Sequence, residues 1–214
     1  MRFFGFALCA ATLAITGCSL GSQPLSFGLA DTPRPQGLTS RPDGSIGSGR
    51  SAKRRAANTR DAAPRGSYTK APAGALADRN YQATSLNVDK ARRLINAYRR
   101  KNGLKPLKLD ALLAKAAKVH SRDLAKWDRI SHFGSDGSNP WDRVKRAGYK
   151  ARVAAENVGT GQSTLEEVMA GWKKSPGHNK NLLLRDAEHM GIALVHDPKT
   201  EFRTFWTLVL GARI

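Results

Sequence analysis

Apolar periodicity begins only at Val88 in this 214-residue sequence, and that boundary limits what the chain can fold into. The segment before it is rich in Gly, Pro, Ser and Arg and shows no sustained helical or strand-like spacing of apolar residues. Such a segment cannot bury enough apolar surface to offset the entropy lost on ordering. The sequence therefore predicts a signal peptide at 1–17, a basic disordered tether at 18–86 and one folded domain at 87–214.

The N-terminal segment predicts export. Arg2 precedes an apolar run over 3–15 that is too short to span a bilayer and typical of a signal-peptide core. The run ends in ITGC, which resembles the lipobox of bacterial lipoproteins. That resemblance implies that Cys18 is acylated, for example with palmitate. Ser19 in the next position implies an outer-membrane lipoprotein, facing the periplasm or the surface. An ordinary cleaved signal with an incidental cysteine is the alternative.

The cysteine count restricts the chemistry of the predicted domain. The chain has two cysteines, Cys9 and Cys18, and both lie in the N-terminal segment. The domain therefore contains no disulfide, no cysteine nucleophile and no thiolate metal site, although an exported protein is free to form disulfides. Its stability must come from its apolar core.

The charge is strongly basic, with a formal net charge of +19. Beside a membrane, Lys and Arg of a tether are attracted to anionic lipid or anionic wall polymer. A contribution to solubility alone is an equally weighted explanation. Nucleic-acid binding is the least favoured, because the predicted compartment lies outside the cytoplasm.

Apolar spacing and capping residues predict helices followed by strands in the domain. Helical spacing runs over 88–103 and over 111–132, WDRVKRAG is a short helix, and Thr164 with Glu167 forms a capping box for LEEVMAGWKK. Two strand-like runs at 190–196 and 202–213 flank the turn DPKTE and predict a hairpin. This order indicates an α+β domain.

Three polar residues are candidates for a site: His132, Glu156 and His178. Each histidine follows a predicted helix end, where the helix dipole favours a protonated imidazole, so we expect both to titrate near neutral pH. Glu156 lies among apolar neighbours and needs a partner if buried. Two imidazoles and a carboxylate can bind a divalent metal or form a hydrogen-bonded network, and the spacing does not decide between them.

The other histidines carry weaker expectations. His120 is expected to pack inside the second helix and His196 to be exposed at the hairpin turn, and His189 has no assigned role. The sequence contains no GxSxG motif, and no serine is marked as a nucleophile.

Five segments, in order, resemble the bacterial branch of the CAP superfamily (cysteine-rich secretory proteins, antigen 5 and pathogenesis-related 1, or SCP-like extracellular proteins). They are INAYRRKNGLKPLKLD, AKAAKVHSRDLAKWDRISHFGSDGSNPWDRVKRAGY, AENVGTG, EEVMAGWKKSPGHNKNLL and MGIAL. The resemblance implies an α-β-α sandwich with a small antiparallel sheet. It also implies a cleft of two histidines and two glutamates, which fall on His132, Glu156 and His178, while the second glutamate position is Ser175.

The resemblance leaves three functions open. The first is a non-enzymatic module that binds a small lipid, a wall or partner component, or zinc or magnesium through His132 and His178. The loss of a carboxylate at Ser175 lowers the expected metal affinity. The second is a protease-like or wall-active hydrolase in which one of these histidines is the base and Glu156 orients it. The third is a structural envelope protein with a vestigial cleft.

Overall fold

A computed structural model describes residues 68–214 as one α+β unit of five helices and four strands. The elements in chain order are α1 (Val88–Lys101), β1 (Lys108–Leu109), α2 (Ala111–Trp127), α3 (Pro140–Arg146), β2 (Ala151–Thr160), α4 (Leu165–Lys174), α5 (Pro176–Leu182), β3 (His189–His196) and β4 (Thr204–Arg213). Among these described residues, no helix has the length and the apolar run needed to cross a membrane. The predicted signal peptide, the acylation at Cys18 and most of the tether lie outside the described part of the chain.

The strands form one mixed sheet in the order β1-β3-β4-β2. The predicted hairpin is present, with β3 antiparallel to β4, and β4 is also antiparallel to β2. The expected antiparallel pairing is present, and the two-residue β1 adds one parallel pairing with β3, so the sheet is mixed. Both β1 and the edge strand β2 are additions to the sequence-based prediction.

The two faces of the sheet are covered by different helices, which confirms the predicted α-β-α sandwich. Successive residues of β4 point alternately to the two faces of the sheet. On one face Trp206, Leu208 and Leu210 pack with α1, α4 and α5. On the other face Val209 packs with α2 and α3, and Thr207 accepts a hydrogen bond from Ser121 of α2. The period of two along the strand thus assigns each helix to a face.

A glycine lets α2 lie directly on the sheet. A Cβ atom at Gly191 of β3 would lie 2.0 Å from the backbone nitrogen of Ala114 and 2.2 Å from the carbonyl carbon of Leu113. Only a residue without a side chain permits that approach between strand and helix backbones. The close contact fixes α2, and with it His120, against the sheet.

Residues 68–86 pack on the domain, although the sequence-based prediction placed them in the tether. Thr69 forms a β-bridge with Ile130. Tyr81 is 8% exposed, and its hydroxyl donates a hydrogen bond to the carbonyl of Gly161 at 2.8 Å. The folded unit therefore begins before Val88, because scattered anchors in an irregular segment bind it to the domain without any periodic pattern.

Candidate functional site

The edge strand β2 places Glu156 at the centre of a polar cluster. Alternate residues of β2 face opposite sides of the sheet, so Glu156 lies on the α2–α3 side and Asn157 on the α4–α5 side. Because no further strand pairs beyond β2 among the described residues, side chains from both faces meet around this edge. The cluster combines His120, His132, Arg143, Glu156 and His178.

Arg143 is the strongest partner of Glu156. Its Nη2 atom lies 2.8 Å from Oε2 and 3.0 Å from Oε1 of Glu156, and both side chains are almost fully buried. Nη1 donates to the carbonyl of Ser138 at 2.7 Å, and Nη2 also donates to the carbonyl of His132 at 2.9 Å. The guanidinium thus connects α3, the loop before it and the edge strand.

Sequence reasoning missed Arg143. The residue sits in WDRVKRAG beside two other cations, and nothing in that local pattern marks one of them as buried. Helix α3 begins at a capping box formed by Asn139 and Asp142, with Pro140 in its first turn. This cap fixes the direction of the helix and turns Arg143, rather than its neighbours, towards the sheet.

Glu156 is held as a carboxylate. Burial alone would raise its pKa, but His120, the hydrogen bond from His132 and the Arg143 guanidinium together lower the pKa to about 2. His120 contributes only when protonated, and burial lowers the pKa of His120 itself. At neutral pH the permanent positive charge beside Glu156 is therefore Arg143.

His132 lies at the open side of the cluster. Helix α2 ends at Trp127 rather than at 132, because Asp128 adopts the left-handed conformation with φ of 45°. His132 consequently belongs to a loop, and its Nδ1 donates to Oε1 of Glu156 at 3.0 Å. Its side chain is 25% exposed, compared with 1% for Glu156.

His120, expected to be a packed residue, is buried and also belongs to the cluster. Its Nε2 atom lies 2.9 Å from the carbonyl oxygen of Ser131 and 3.5 Å from Oε1 of Glu156. No spacing signal in the sequence marks this contact, because residues 120 and 156 meet only when α2 packs across the sheet.

His178 approaches from the other face. Its ring centroid lies 6.4 Å from that of His132. Its backbone carbonyl accepts a hydrogen bond from Asn157 at 3.0 Å, while Asn181 on the same helix donates to the Glu156 carbonyl at 3.0 Å. These amide contacts fix the start of α5 to the edge strand.

The predicted titration of His178 near neutral pH is wrong. The sequence placed this residue after a helix end, whereas the structure places it in the first turn of α5, which begins at Pro176. Burial, and secondarily the neighbouring His132, lower the pKa of His178 to about 4. His178 is therefore a neutral imidazole at pH 7.

Ser175 joins α4 to α5 and is buried beside this histidine. It follows Lys174 and precedes the proline of α5, and its side chain caps neither helix. Within the described residues, Ser175 Oγ and His178 Nδ1 have no hydrogen-bond partner. The junction thus holds a hydroxyl and an imidazole nitrogen with unused hydrogen-bonding capacity.

The cluster does not fit a divalent metal. Both carboxylate oxygens of Glu156 contact the Arg143 guanidinium, whose charge would repel a cation placed there. Residues 68–214 contain no group of three His, Cys, Asp or Glu side chains arranged as metal ligands. Ser175 adds a hydroxyl where a second carboxylate would be needed to balance the ion.

Fold and site together define an α-β-α sandwich domain in which an edge strand brings a buried glutamate to histidines from both faces of the sheet. The family model of the Cysteine-rich secretory protein family, CAP, matches residues 92–210. The chain belongs to this family.

Two relatives come from Bacillus subtilis (strain 168). Uncharacterized protein YkwD is 35% identical over 150 residues, which is 68% of this chain and 56% of that protein. Uncharacterized membrane protein YlbC is 31% identical over 101 residues, which is 47% of this chain and 29% of that protein. The chain thus matches about half of the first relative and less than a third of the second.

Solved structures show the same fold. An extracellular protein containing a SCP domain from Bacillus anthracis str. Ames has a TM-score of 0.52 at 26% identity, covering 58% of this chain and 40% of that one. An outer surface protein from Borrelia burgdorferi has a TM-score of 0.54 at 22% identity, covering 60% of this chain and 97% of that one. Both are described as extracellular or surface proteins, and at this identity the second supports the fold alone.

Proposed function

We propose that this chain is an exported CAP-domain protein of the cell envelope that binds a ligand at the cluster around His132 and His178, without a metal and without catalysis. The proposed ligand is a hydroxyl- or amide-bearing lipid or wall component. The relative from Bacillus anthracis, an extracellular protein containing a SCP domain, supports the export part of the proposal. The signal-like segment at 1–17 supports it independently.

The pairing of Arg143 with both oxygens of Glu156 is the observation that carries the proposal. Because the carboxylate is neutralised by a protein cation, the cluster offers hydrogen-bonding groups in place of metal ligands. His132 is the partly exposed member of the cluster, so its imidazole is the group that a ligand can reach. Hydroxyl and amide groups are hydrogen-bond partners for an imidazole.

Co-sedimentation with two separate probes tests the proposal. The full chain carrying Cys18→Ser, which removes acylation as a cause of binding, is mixed with purified wall sacculi or with phospholipid vesicles. Salt at about 0.5 M screens the basic segment, since the Debye length there is about 4 Å. We expect binding to one probe, lost in His132→Ala and retained in His196→Ala, whose imidazole is exposed on β3. Failure of both probes to sediment the protein, or equal binding by both variants, contradicts the proposal.

The proposed anchor is a separate part of the function. Acylation of Cys18 would hold the domain at a membrane, and the basic segment would lie along anionic lipid or wall polymer. Mass spectrometry of the N-terminal peptide from the native host should find acyl chains on Cys18. We expect the Cys18→Ser variant, which cannot be acylated at this position, to appear in the soluble fraction. Retention of this variant in the membrane fraction argues against the anchor.

A hydrolase is the second candidate, and one contact favours it. Glu156 Oε1 accepts a hydrogen bond from His132 Nδ1 at 3.0 Å, which orients the imidazole as a general base would be oriented. The Arg143 pair weakens this candidate, because it reduces the basicity that Glu156 lends to the ring. Release of soluble fragments from sacculi or casein should stop in a variant lacking both His132 and His178. Activity that survives this change rejects the assignment.

A further inference from the structure

Strand β3 has an open edge beyond its short pairing with β1. It spans His189–His196, but β1 pairs only with its first two residues. The Met190 carbonyl accepts a hydrogen bond from the Asp110 N–H at 2.9 Å on the β1 side. Backbone groups of every second strand residue point to the same edge, so those of Ile192 and Leu194 point to this side too. Among the described residues these two backbone positions have no hydrogen-bond partner on that side.

A groove of about 500 Å³ follows this open edge. Ile192, Ala193 and Leu194 all line it, although successive side chains of a strand point to opposite faces of the sheet. A groove that contacts three consecutive residues in this way lies along the edge of the strand. Helix α2 forms one wall, and the partly exposed Leu86 lines the groove as well. The groove shares no residue with the cluster around Glu156, so its ligand and the ligand proposed above can be tested independently.

The α2 wall of the groove carries three exposed positive charges. They belong to Lys115, Lys118 and Arg122, which form no ion pair among the described residues. Spacings of three and four residues place them on one side of the helix, about 4.5 and 6 Å apart along its axis. No carboxylate lines the groove within the described chain. The wall is therefore accessible to solvent and attracts negative charge.

This charge selects among the possible occupants of the groove. The segment before Tyr68 has an excess of Lys and Arg, so the α2 wall repels it. A second copy of the chain, paired edge to edge, would bring two sets of like charges together. An acidic segment of a different protein meets neither obstacle.

From the open edge, the groove and its cations we propose that β3 binds an extended acidic peptide segment of a partner protein, which joins the sheet as an added strand. The backbone groups of Ile192 and Leu194 would pair with the peptide backbone. Alternate peptide side chains, about 6.6 Å apart, would face α2 and carry the acidic groups. The others would face the side of Leu86, which packs with the apolar cluster on the α1 face. The expected motif therefore alternates Asp or Glu with apolar residues.

Amide hydrogen exchange measured by NMR tests the proposal. The ¹⁵N-labelled full chain carrying Cys18→Ser is titrated with the peptide acetyl-Glu-Val-Glu-Val-Glu-amide. The basic segment before Tyr68 also attracts acidic peptides, so the readout is confined to the amides of Ile192 and Leu194. Pairing with an added strand should slow their exchange about tenfold at a free peptide concentration ten times its Kd, because exchange then occurs from the unbound fraction.

Two N-methylated peptides separate strand pairing from charge attraction. One carries methyl groups on the glutamate nitrogens and the other on the valine nitrogens, and both keep the same charge. In an extended strand the N–H groups of every second residue point to one edge. One of the two peptides should therefore lose the protection of the β3 amides while the other keeps it, and the identity of the inactive peptide shows whether the added strand is parallel or antiparallel to β3.

Two charge-reversal variants provide the matched comparison in the protein. Lys118 and Lys145 are both exposed and form no ion pair among the described residues, but only Lys118 lines the groove. Lys118→Glu should bind the peptide at least about fivefold more weakly, since an attraction becomes a repulsion. Lys145→Glu should bind it as the wild type does.

Three outcomes overturn the proposal. The first is unchanged exchange of the Ile192 and Leu194 amides at every peptide concentration, which means that the cations only protect the edge from pairing with other chains. The second is an equal effect of the two N-methylated peptides. The third is equal affinity of Lys118→Glu and Lys145→Glu for the peptide when both spectra show a folded protein.

Discussion

Replacing Arg143 by methionine tests the central pair of the cluster. The variant keeps an apolar stem of similar length but leaves Glu156, whose side chain is 1% exposed, without its guanidinium partner. Removing one member of a buried ion pair costs about 3–5 kcal/mol of unfolding free energy, because the remaining charge is buried and uncompensated. The lost hydrogen bonds to the carbonyls of Ser138 and His132 act in the same direction.

The same variant should change how stability depends on pH. In the wild type the pKa of Glu156 is lowered to about 2, so its contribution is complete above the unfolded pKa near 4 and is lost as pH falls towards 2. Without Arg143 we expect the pKa of Glu156 to rise, because the guanidinium no longer opposes the effect of burial while the hydrogen bond from His132 remains. Folded Glu156 in the variant then binds a proton at a higher pH than in the wild type, so the deficit of the variant should shrink on acidification by up to about 1.4 kcal/mol per pH unit.

Urea denaturation at pH 7 and pH 5 measures both effects. Arg146→Met is the control, because that arginine lies on the same helix with its side chain 59% exposed and its pair with Asp136 equally open to solvent. We expect this control to lose less than about 1 kcal/mol. The double variant Arg143→Met/Glu156→Gln should be more stable than Arg143→Met alone. If Arg143→Met loses less than about 1 kcal/mol of unfolding free energy and its stability depends on pH as the wild type's does, the buried ion pair of Arg143 and Glu156 is refuted.

Three further predictions concern the fold, the histidines and the metal. Gly191→Ala should lower the free energy of unfolding, measured by urea denaturation, by about 3 kcal/mol, because its Cβ would lie 2.0 Å from the Ala114 nitrogen. Gly177→Ala is the control, since a Cβ atom there meets open space. A small loss of unfolding free energy in Gly191→Ala contradicts the close packing of α2 on β3. The free energy of unfolding should decrease as pH is lowered from about 6.5 towards 4, because His178 has a folded pKa of about 4 and is protonated first in the unfolded chain. This dependence, about 1.4 kcal/mol per pH unit, should be weaker in His178→Gln. An unchanged dependence in that variant contradicts the prediction. Equimolar zinc or magnesium should leave the melting temperature of the wild type unchanged. A rise in melting temperature that is absent in His132→Ala would show that the cluster binds the metal.

Helices α1 to α4 and the hairpin were predictable because their signals are local, whereas α5 was not predicted. The apolar spacing from Val88, the caps of α2 and α4 and the turn between β3 and β4 each lie within a few residues of the element they define. Strand β2 has no such signal, since ARVAAENVGT is rich in alanine and contains polar residues and glycine. It is a strand because nine of its residues pair with β4, which is a tertiary effect.

The candidate site was predictable only in part, for the same physical reason. His132, Glu156 and His178 were selected from motifs, and the structure brings Glu156 within 3.0 Å of His132 and the His178 ring within 6.4 Å of the His132 ring. The contacts of Glu156 with His120 and Arg143 could not be inferred, because they depend on α2 and α3 lying over the same face of the sheet. The helix-dipole argument failed for His178, because burial lowers its pKa and because the residue lies in the first turn of α5, a helix that the sequence did not predict.

Charge balance explains why Arg143 and Ser175 are best considered together. Burial keeps His120 and His178 uncharged at neutral pH, so the permanent charges in the buried part of the cluster are one carboxylate and one guanidinium, which cancel. A divalent cation would add two positive charges to this balanced set and would need carboxylates that the junction at Ser175 does not provide. A glutamate at 175 would instead place a second negative charge in the cluster and favour a cation. The combination of arginine and serine therefore leaves the buried part of the cluster electrically neutral, which supports the proposed binding of a ligand by hydrogen bonds.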